Sequence, residues 1–119
     1  MTMKILCIDD EPDILELMKE YLQLCGHQVL TALNGKDGWK ILSENPASFD
    51  ALITDVRMPL MSGPELVAKI HQHGFNVPVI ITSGHEDKEL HNIAEQYDVA
   101  AILPKPFTLS DFKEVLKNL

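Results

Sequence analysis

Short apolar runs alternate with amphipathic segments along the whole chain, and this alternation constrains the fold more than any other feature. The runs fall at residues 4–8, 27–32, 51–54, 77–82 and 100–103. Most are rich in Ile, Val and Leu without polar alternation, which is how strands covered on both faces by helices read. Strand then helix, repeated to the end, predicts an α/β fold with a parallel sheet, because parallel neighbours need a crossover long enough to hold a helix. No linker, repeat array or low-complexity stretch interrupts the 119 residues, so a single domain over 1–119 is expected, large enough to fold without a disulfide or structural metal.

The helices carry their own signals. Ile14, Leu15, Met18, Tyr21 and Leu22 form one apolar stripe, with Pro12 in the first turn and Gly26 closing the segment. Phe112, Val115, Leu116 and Leu119 form another. Three helix starts are marked by a capping residue followed three positions later by an acid: Asn34 with Asp37, Ser62 with Glu65, and Thr108 with Asp111. A weaker helix is expected over about 87–96, where Leu90, Ile93 and Ala94 are the only good core candidates, so it should be the least firmly packed. Trp39 and Tyr21 read as packing residues and Cys7 as core.

Charge narrows the partners. Lys plus Arg number 10 and Asp plus Glu 18, for a net charge of −8. A nucleic-acid surface needs a basic stripe to release counterions, whereas these lysines are scattered among carboxylates, so direct nucleic-acid binding is not expected. Cations and basic protein surfaces suit the chain better. Cys7 and Cys25 lack metal-ligand spacing and read as reduced residues, which points to the cytoplasm. No stretch approaches the roughly 20 apolar residues that span a bilayer, and the start runs directly into a strand rather than a signal peptide, so no membrane insertion is expected.

In open parallel sheets the site lies at the carboxyl ends of the strands. The first strand ends at Asp9, Asp10 and Glu11, the third at Asp55, the fourth at Thr82, Ser83 and Gly84, and the fifth runs through Pro104 into Lys105 and Pro106. If strands one and three are neighbours, as in the flavodoxin-like order 2-1-3-4-5, the three aspartates converge, with Ser83 and Lys105 flanking them. Two like charges about 4 Å apart repel by roughly 4 kcal/mol at an effective dielectric of about 20, so such a cluster demands a cation. Oxygen-only ligands suit Mg²⁺, which takes a few carboxylates and shares phosphate oxygens, and Lys105 would neutralise the remainder. Carboxylate, divalent metal, lysine and hydroxyl together suit acceptance of a phosphoryl group, with Asp55 as nucleophile at a central strand end and Asp9 and Asp10 holding metal.

The residues Asp9-Asp10-Glu11-Pro12, Asp55-Val56-Arg57-Met58-Pro59, Ser83-Gly84 after Pro78-Val79-Ile80-Ile81-Thr82, and Lys105-Pro106-Phe107 resemble the motifs of the response-regulator receiver domain of two-component signalling, over essentially the whole chain. Each motif alone is common; four in order at strand ends are specific. The resemblance implies the fold of the stand-alone chemotaxis regulators, a flavodoxin-like doubly wound five-stranded parallel sheet of order 2-1-3-4-5 with five helices. It implies that Asp55 is the phosphoacceptor, taking phosphate from a phosphohistidine of a sensor histidine kinase or a histidine phosphotransfer protein. Asp10, Asp55 and the backbone carbonyl of Arg57 would ligate Mg²⁺, and Asp9 would act through a metal-bound water. Ser83 would be the switch hydroxyl and Lys105 a contact to the phosphoryl oxygen, with the Lys105-Pro106 bond cis. Met58, Pro59 and Gly63 match the loop over the site. Arg57 and His85 match positions that tune phosphoryl lifetime. The surface of the fourth helix, fifth strand and fifth helix would switch toward a downstream protein or output domain, and in this family it often forms a homodimer on phosphorylation.

One position departs from the family. Receivers often carry Tyr or Phe three residues before the lysine, and here that switch position is Ile102. Other functions on the same fold are less well matched. A flavin or nucleotide module wants a Ser/Thr/Gly-rich loop after the first strand, where Asp9-Asp10-Glu11 would repel a phosphate. An Asp-nucleophile phosphatase would carry its second Asp where Glu11 stands. A non-phosphorylated receiver-like interaction module would not need the complete acid, hydroxyl and lysine set. The sequence closes with the fifth helix and shows no output domain, as expected of a stand-alone receiver or of a fragment of a longer regulator.

Overall fold

The computed structural model describes residues 2–84, 95–97 and 99–119. Five strands, β1 (Lys4–Ile8), β2 (Gln28–Ala32), β3 (Ala51–Asp55), β4 (Val79–Ser83) and β5 (Ala101–Pro104), form one parallel sheet in the order β2-β1-β3-β4-β5. Between them run α1 (Pro12–Leu24), α2 (Gly35–Glu44) and α3 (Gly63–Gln72), and the C-terminal helix (Leu109–Lys117) follows β5. This is the flavodoxin-like doubly wound α/β fold. The helix expected over about 87–96 lies outside the described residues except at its end, where 95–97 are helical between β4 and β5. No helix among the described residues is long and apolar enough to cross a membrane.

Because side chains alternate along a strand, the sheet has two apolar faces. Leu6, Ile8, Leu52, Val79 and Ile81 pack with Leu42 of α2 and Leu66, Val67 and Ile70 of α3. Ile5, Cys7, Ala51, Ile53, Ile80 and Leu103 pack on the other face with Leu15, Met18 and Leu22 of α1 and Phe112 of the C-terminal helix. Every residue of β3 and β4 is buried, as their unbroken apolar runs require. The edge strand β2 departs from the expectation of two covered faces, since only Ala32 is buried and Leu30 is exposed. On an edge only one neighbouring strand remains, so the same Val-Leu-rich run is left half open.

The helix termini follow their sequence signals. Asn34, Ser62 and Thr108 are the N-caps, each accepting a hydrogen bond from the backbone N–H of the acid three residues on, and Thr108 with Asp111 makes a full capping box. Gly26, at φ 88°, ends α1, with its N–H donating to Gln23 O and that of His27 to Leu22 O. Gly74, at φ 67°, repeats the arrangement at the end of α3, where the Phe75 N–H donates to Ile70 O. Tyr21 stands edge-on to Phe112, and Trp39 stacks on Phe75, so both act in packing. Leu119 does not join the stripe of the last helix. The helix closes at Lys117, and Leu119 is 41% exposed.

Candidate functional site

The order of the strands puts the ends of β1, β3 and β4 side by side, and the polar residues that terminate them meet there. Asp9 follows β1 directly and is fully buried. Its N–H donates to Ala32 O, and its Oδ1 accepts from the Glu11 N–H at 2.9 Å, which fixes the turn into α1. Asp9 and Asp10 are therefore not the cap of α1. The N-cap is Glu11, without a side-chain cap bond, and the aspartates are left for other work. Asp10 is exposed beside them.

Asp55 closes the fully buried strand β3 and is 9% exposed. Its Oδ1 accepts from the Val56 N–H at 2.8 Å. One oxygen from each of Asp9, Asp10 and Asp55 lies within 4.8 Å of the others, a spacing and a hard-oxygen donor set that fit a divalent cation such as Mg²⁺. Lys105 reaches into the cluster from the end of β5, with Nζ 3.0 Å from Asp9 Oδ2 and 3.3 Å from Asp55 Oδ2. The Lys105-Pro106 peptide bond is cis.

The electrostatics leave the cluster short of positive charge. Burial raises the Asp55 pKa above its ordinary 3.8, and although Lys105 and the Val56 N–H pull it down, repulsion from Asp9 adds to the rise. Burial works against the Lys105 ammonium, yet the bond to Asp9 and the Asp55 charge outweigh it and hold its pKa above the usual lysine value. A single ammonium is thus shared between two carboxylates, and its one positive charge cannot balance the three acids of the cluster.

The remaining residues form the frame. Ser83, the last residue of β4, is buried, and its carbonyl accepts from the Lys105 N–H at 2.7 Å, so the strand end that carries the hydroxyl also holds the lysine backbone. Arg57 is exposed at the start of the loop after β3. That loop is tied down where the Gly63 N–H donates to Val56 O, and the Thr54 hydroxyl donates to Asp55 O within β3. Gly63 packs directly on the Asp55 carbonyl, leaving no room for a Cβ. Ile102 is 36% exposed on β5, where it pairs with Ile81. His85 lies outside the described residues.

Two features of the site are not among the sequence expectations. Asp9, expected to act through a metal-bound water, is the nearer of the two carboxylates to Lys105. Thr82, unremarked beyond its place at a strand end, is fully buried opposite Asp55 in the β3–β4 register, with a hydroxyl that has no hydrogen-bond partner among the described residues. The signal for it was a polar residue inside an otherwise apolar run, one strand over from the acid.

A family model described as the response regulator receiver domain matches residues 5–117. The chain is similar to the two-component response regulator ARR10 of Arabidopsis thaliana, 28% identical over 117 residues, which are 98% of this chain and 21% of that protein. It is similar also to the sensor histidine kinase RcsC of Escherichia coli (strain K12), 34% identical over 114 residues, 96% of this chain and 12% of the kinase. The chain therefore spans well under half the length of either relative. Among solved structures, a response regulator receiver domain protein from Clostridium thermocellum superposes with a TM-score of 0.90 at 37% identity, covering 98% of this chain and 92% of that one. The chemotaxis protein CheY4 of Vibrio cholerae superposes with a TM-score of 0.86 at 28% identity, covering 98% of each chain.

Proposed function

The chain belongs to the response regulator receiver domain family, whose members are phosphoacceptor switches, and on that premise we propose that Asp55 accepts a phosphoryl group from a phosphohistidine of a sensor histidine kinase or a histidine phosphotransfer protein. The observation that carries this reading is the pairing of the nearly buried Asp55 carboxylate with Lys105 at 3.3 Å inside a cluster of three acids. In the transfer, an Asp55 carboxylate oxygen bonds phosphorus while the phosphorus–nitrogen bond breaks and its electron pair returns to the imidazole. Lys105 meets the charge on the phosphoryl oxygens, and the Val56 N–H keeps the other Asp55 oxygen oriented. Asp10, Asp55 and the Arg57 carbonyl would hold Mg²⁺, with Asp9 acting through a metal-bound water. The ion would supply the positive charge that lets a dianionic phosphoryl group approach three carboxylates.

The switch runs through β4 in this reading. Ser83 swings its hydroxyl toward the phosphoryl oxygen, and because the Ser83 carbonyl holds the Lys105 N–H, the movement is shared with the end of β5. Ile102 stands where an aromatic ring often turns, so the signal passes by backbone and helix displacement over the surface of the preceding helix, β5 and the C-terminal helix. A downstream protein, an output domain or a second copy of the chain then reads that surface. Arg57 and His85 tune how fast water removes the phosphoryl group. The working unit is a single receiver domain over 1–119, acting in the cytoplasm, in keeping with its two free cysteines.

Incubation with a radiolabelled histidine phosphotransfer protein tests the reading. Label should pass to the wild-type chain and not to Asp55→Asn. Label that passes equally to both would overturn Asp55 as acceptor.

A further inference from the structure

The loop after β3 turns on a backbone that its sequence does not favour. The Met61 N–H donates to Pro59 O at 2.8 Å across a single residue, Leu60, whose φ is 70°. This is a γ-turn with positive φ at its centre, a rare and strained form that suits glycine or asparagine and not a bulky side chain. Among the described residues Leu60 is the only non-glycine with positive φ. The loop holds it there from both sides. Met58 and Met61 pack against the core under α2 and α3, the Met61 carbonyl lies against Gly35 at the start of α2, and Gly63 lies against the Asp55 carbonyl. Neither glycine position has room for a Cβ, so close approaches of backbone to backbone fix the turn at each end.

The side chain held in this turn does nothing for the fold. Leu60 is 72% exposed, Pro59 beside it is exposed, and Leu60 joins neither core cluster. Asparagine would sit in the turn with less strain and leave the core as it is. Four apolar residues in a row, Met58-Pro59-Leu60-Met61, with their crest in solvent, are unfavourable unless the crest meets something. Its place narrows what that is. Three residues span at most about 11 Å, so Leu60 stays within that distance of Gly63, which touches the Asp55 carbonyl. A protein that brings its phosphohistidine to Asp55 and covers even about 600 Å² of this chain shields a patch roughly 14 Å in radius. Leu60 falls inside such a patch. The exposed acids Asp10 and Glu11 stand at the end of β1, so the crest is an apolar lip on a rim that is acidic there.

We propose that Leu60 is an apolar docking residue for the protein that donates the phosphoryl group. The surface it meets is an apolar patch beside the phosphohistidine, with basic groups toward Asp10 and Glu11. The inference rests on the function proposed above and adds to it a residue that recognises the protein donor while taking no part in the transfer at Asp55. The strained turn is what presents the side chain outward, and contact with the donor is what the strain serves.

Leu60→Asn removes the apolar side chain and suits the turn, and Leu60→Met keeps an apolar side chain there. Each chain is labelled with Mg²⁺ from two donors, a histidine phosphotransfer protein that labels wild type and acetyl phosphate, which is too small to dock. The urea midpoint of each chain is measured beside them. Expected for Leu60→Asn is a fall of about tenfold in kcat/KM with the protein donor, carried by KM, as leaving one leucine side chain unburied at a contact implies. Its labelling by acetyl phosphate should match wild type, and its urea midpoint should be no lower. Leu60→Met should stay within about threefold of wild type with both donors. Equal kcat/KM with the protein donor in wild type and Leu60→Asn overturns the inference and leaves the proposed function intact. So does an equal fall with both donors, since the side chain would then act on Asp55 itself, and so does a lower urea midpoint, which would give Leu60 a part in the fold. A wild-type dimer in sedimentation that Leu60→Asn dissolves would give the crest to a second copy and overturn the donor assignment. Wild type that takes label from acetyl phosphate and from no phosphotransfer protein overturns it too. Wild type labelled by neither donor overturns the proposed function and this inference together.

Discussion

Lys105 Nζ lies 3.0 Å from Asp9 Oδ2, an ion pair between residues 96 positions apart that closes the end of β5 onto the end of β1 across two intervening strands. Asp9 is wholly buried, and the Lys105 ammonium is its ion-pair partner. The lysine is thus a structural element at rest as well as the proposed contact for the phosphoryl group.

Removing the lysine should therefore be costly in itself. Breaking a buried pair by deleting one partner leaves an uncompensated charge, and Lys105→Ala is expected to lower stability by about 3 kcal/mol. Lys105→Ala combined with Asp9→Asn should recover most of that loss. Urea denaturation of the single and double variants checks this, and additive losses would contradict the coupling.

Asp55 should behave in the opposite sense. Its pKa is raised in the folded state, chiefly by burial, so the fold binds the proton more tightly than the unfolded chain does. The stability this group contributes is present below its ordinary pKa of 3.8 and is lost as pH rises through the folded value. At pH about 7 the ionised carboxylate is a net burden, and Asp55→Asn in chelator should be more stable than wild type, the difference shrinking as pH falls toward about 4. Urea midpoints across that range provide the measurement; a less stable Asp55→Asn at neutral pH would contradict it.

Divalent cation should relieve the same burden. Mg²⁺ that binds only the folded chain raises its stability by mass action, by about 2.7 kcal/mol at a hundred times the dissociation constant. The thermal midpoint of wild type should rise with Mg²⁺ beyond the effect of matched monovalent salt, and that rise should be largely lost in Asp10→Asn. An undiminished response in Asp10→Asn would remove Asp10 from the metal site.

Gly63 couples the loop to Asp55. A methyl group there would run into the carbonyl oxygen of Asp55 and the Cα of Val56, both backbone atoms with little room to yield. Gly63→Ala should cost about 1–3 kcal/mol and slow phosphorylation of Asp55 by shifting its strand end. Denaturation together with the rate of adduct formation tests both effects, and a variant normal in both would show that the strand end can move freely.

Much of this is legible in the sequence, because the signals are local. Apolar runs without alternation gave β3 and β4, the pairs Asn34 with Asp37 and Ser62 with Glu65 marked helix starts, and the acids and lysine fell at the ends of runs. What remained hidden depends on which strands are neighbours. Leu30 reads like a core residue and is exposed because β2 is an edge. Leu119 continues a helical stripe by spacing, yet the helix stops at Lys117. That Lys105 leans first on Asp9 follows from its side chain reaching from the end of β5 back to the end of β1, which no local pattern encodes. Thr82 stands opposite Asp55 only through the β3–β4 register, which is not local either.

Asp55 is proposed as a phosphoacceptor assisted by Mg²⁺. Its most direct test is the intact mass of the protein after incubation with acetyl phosphate, with Mg²⁺ or with chelator, beside Asp55→Asn. The expected result is one phosphoryl adduct on the wild-type chain, formed with Mg²⁺ and absent both in chelator and in Asp55→Asn. An adduct of equal yield in chelator or in Asp55→Asn, or none on the folded wild-type chain, would contradict it.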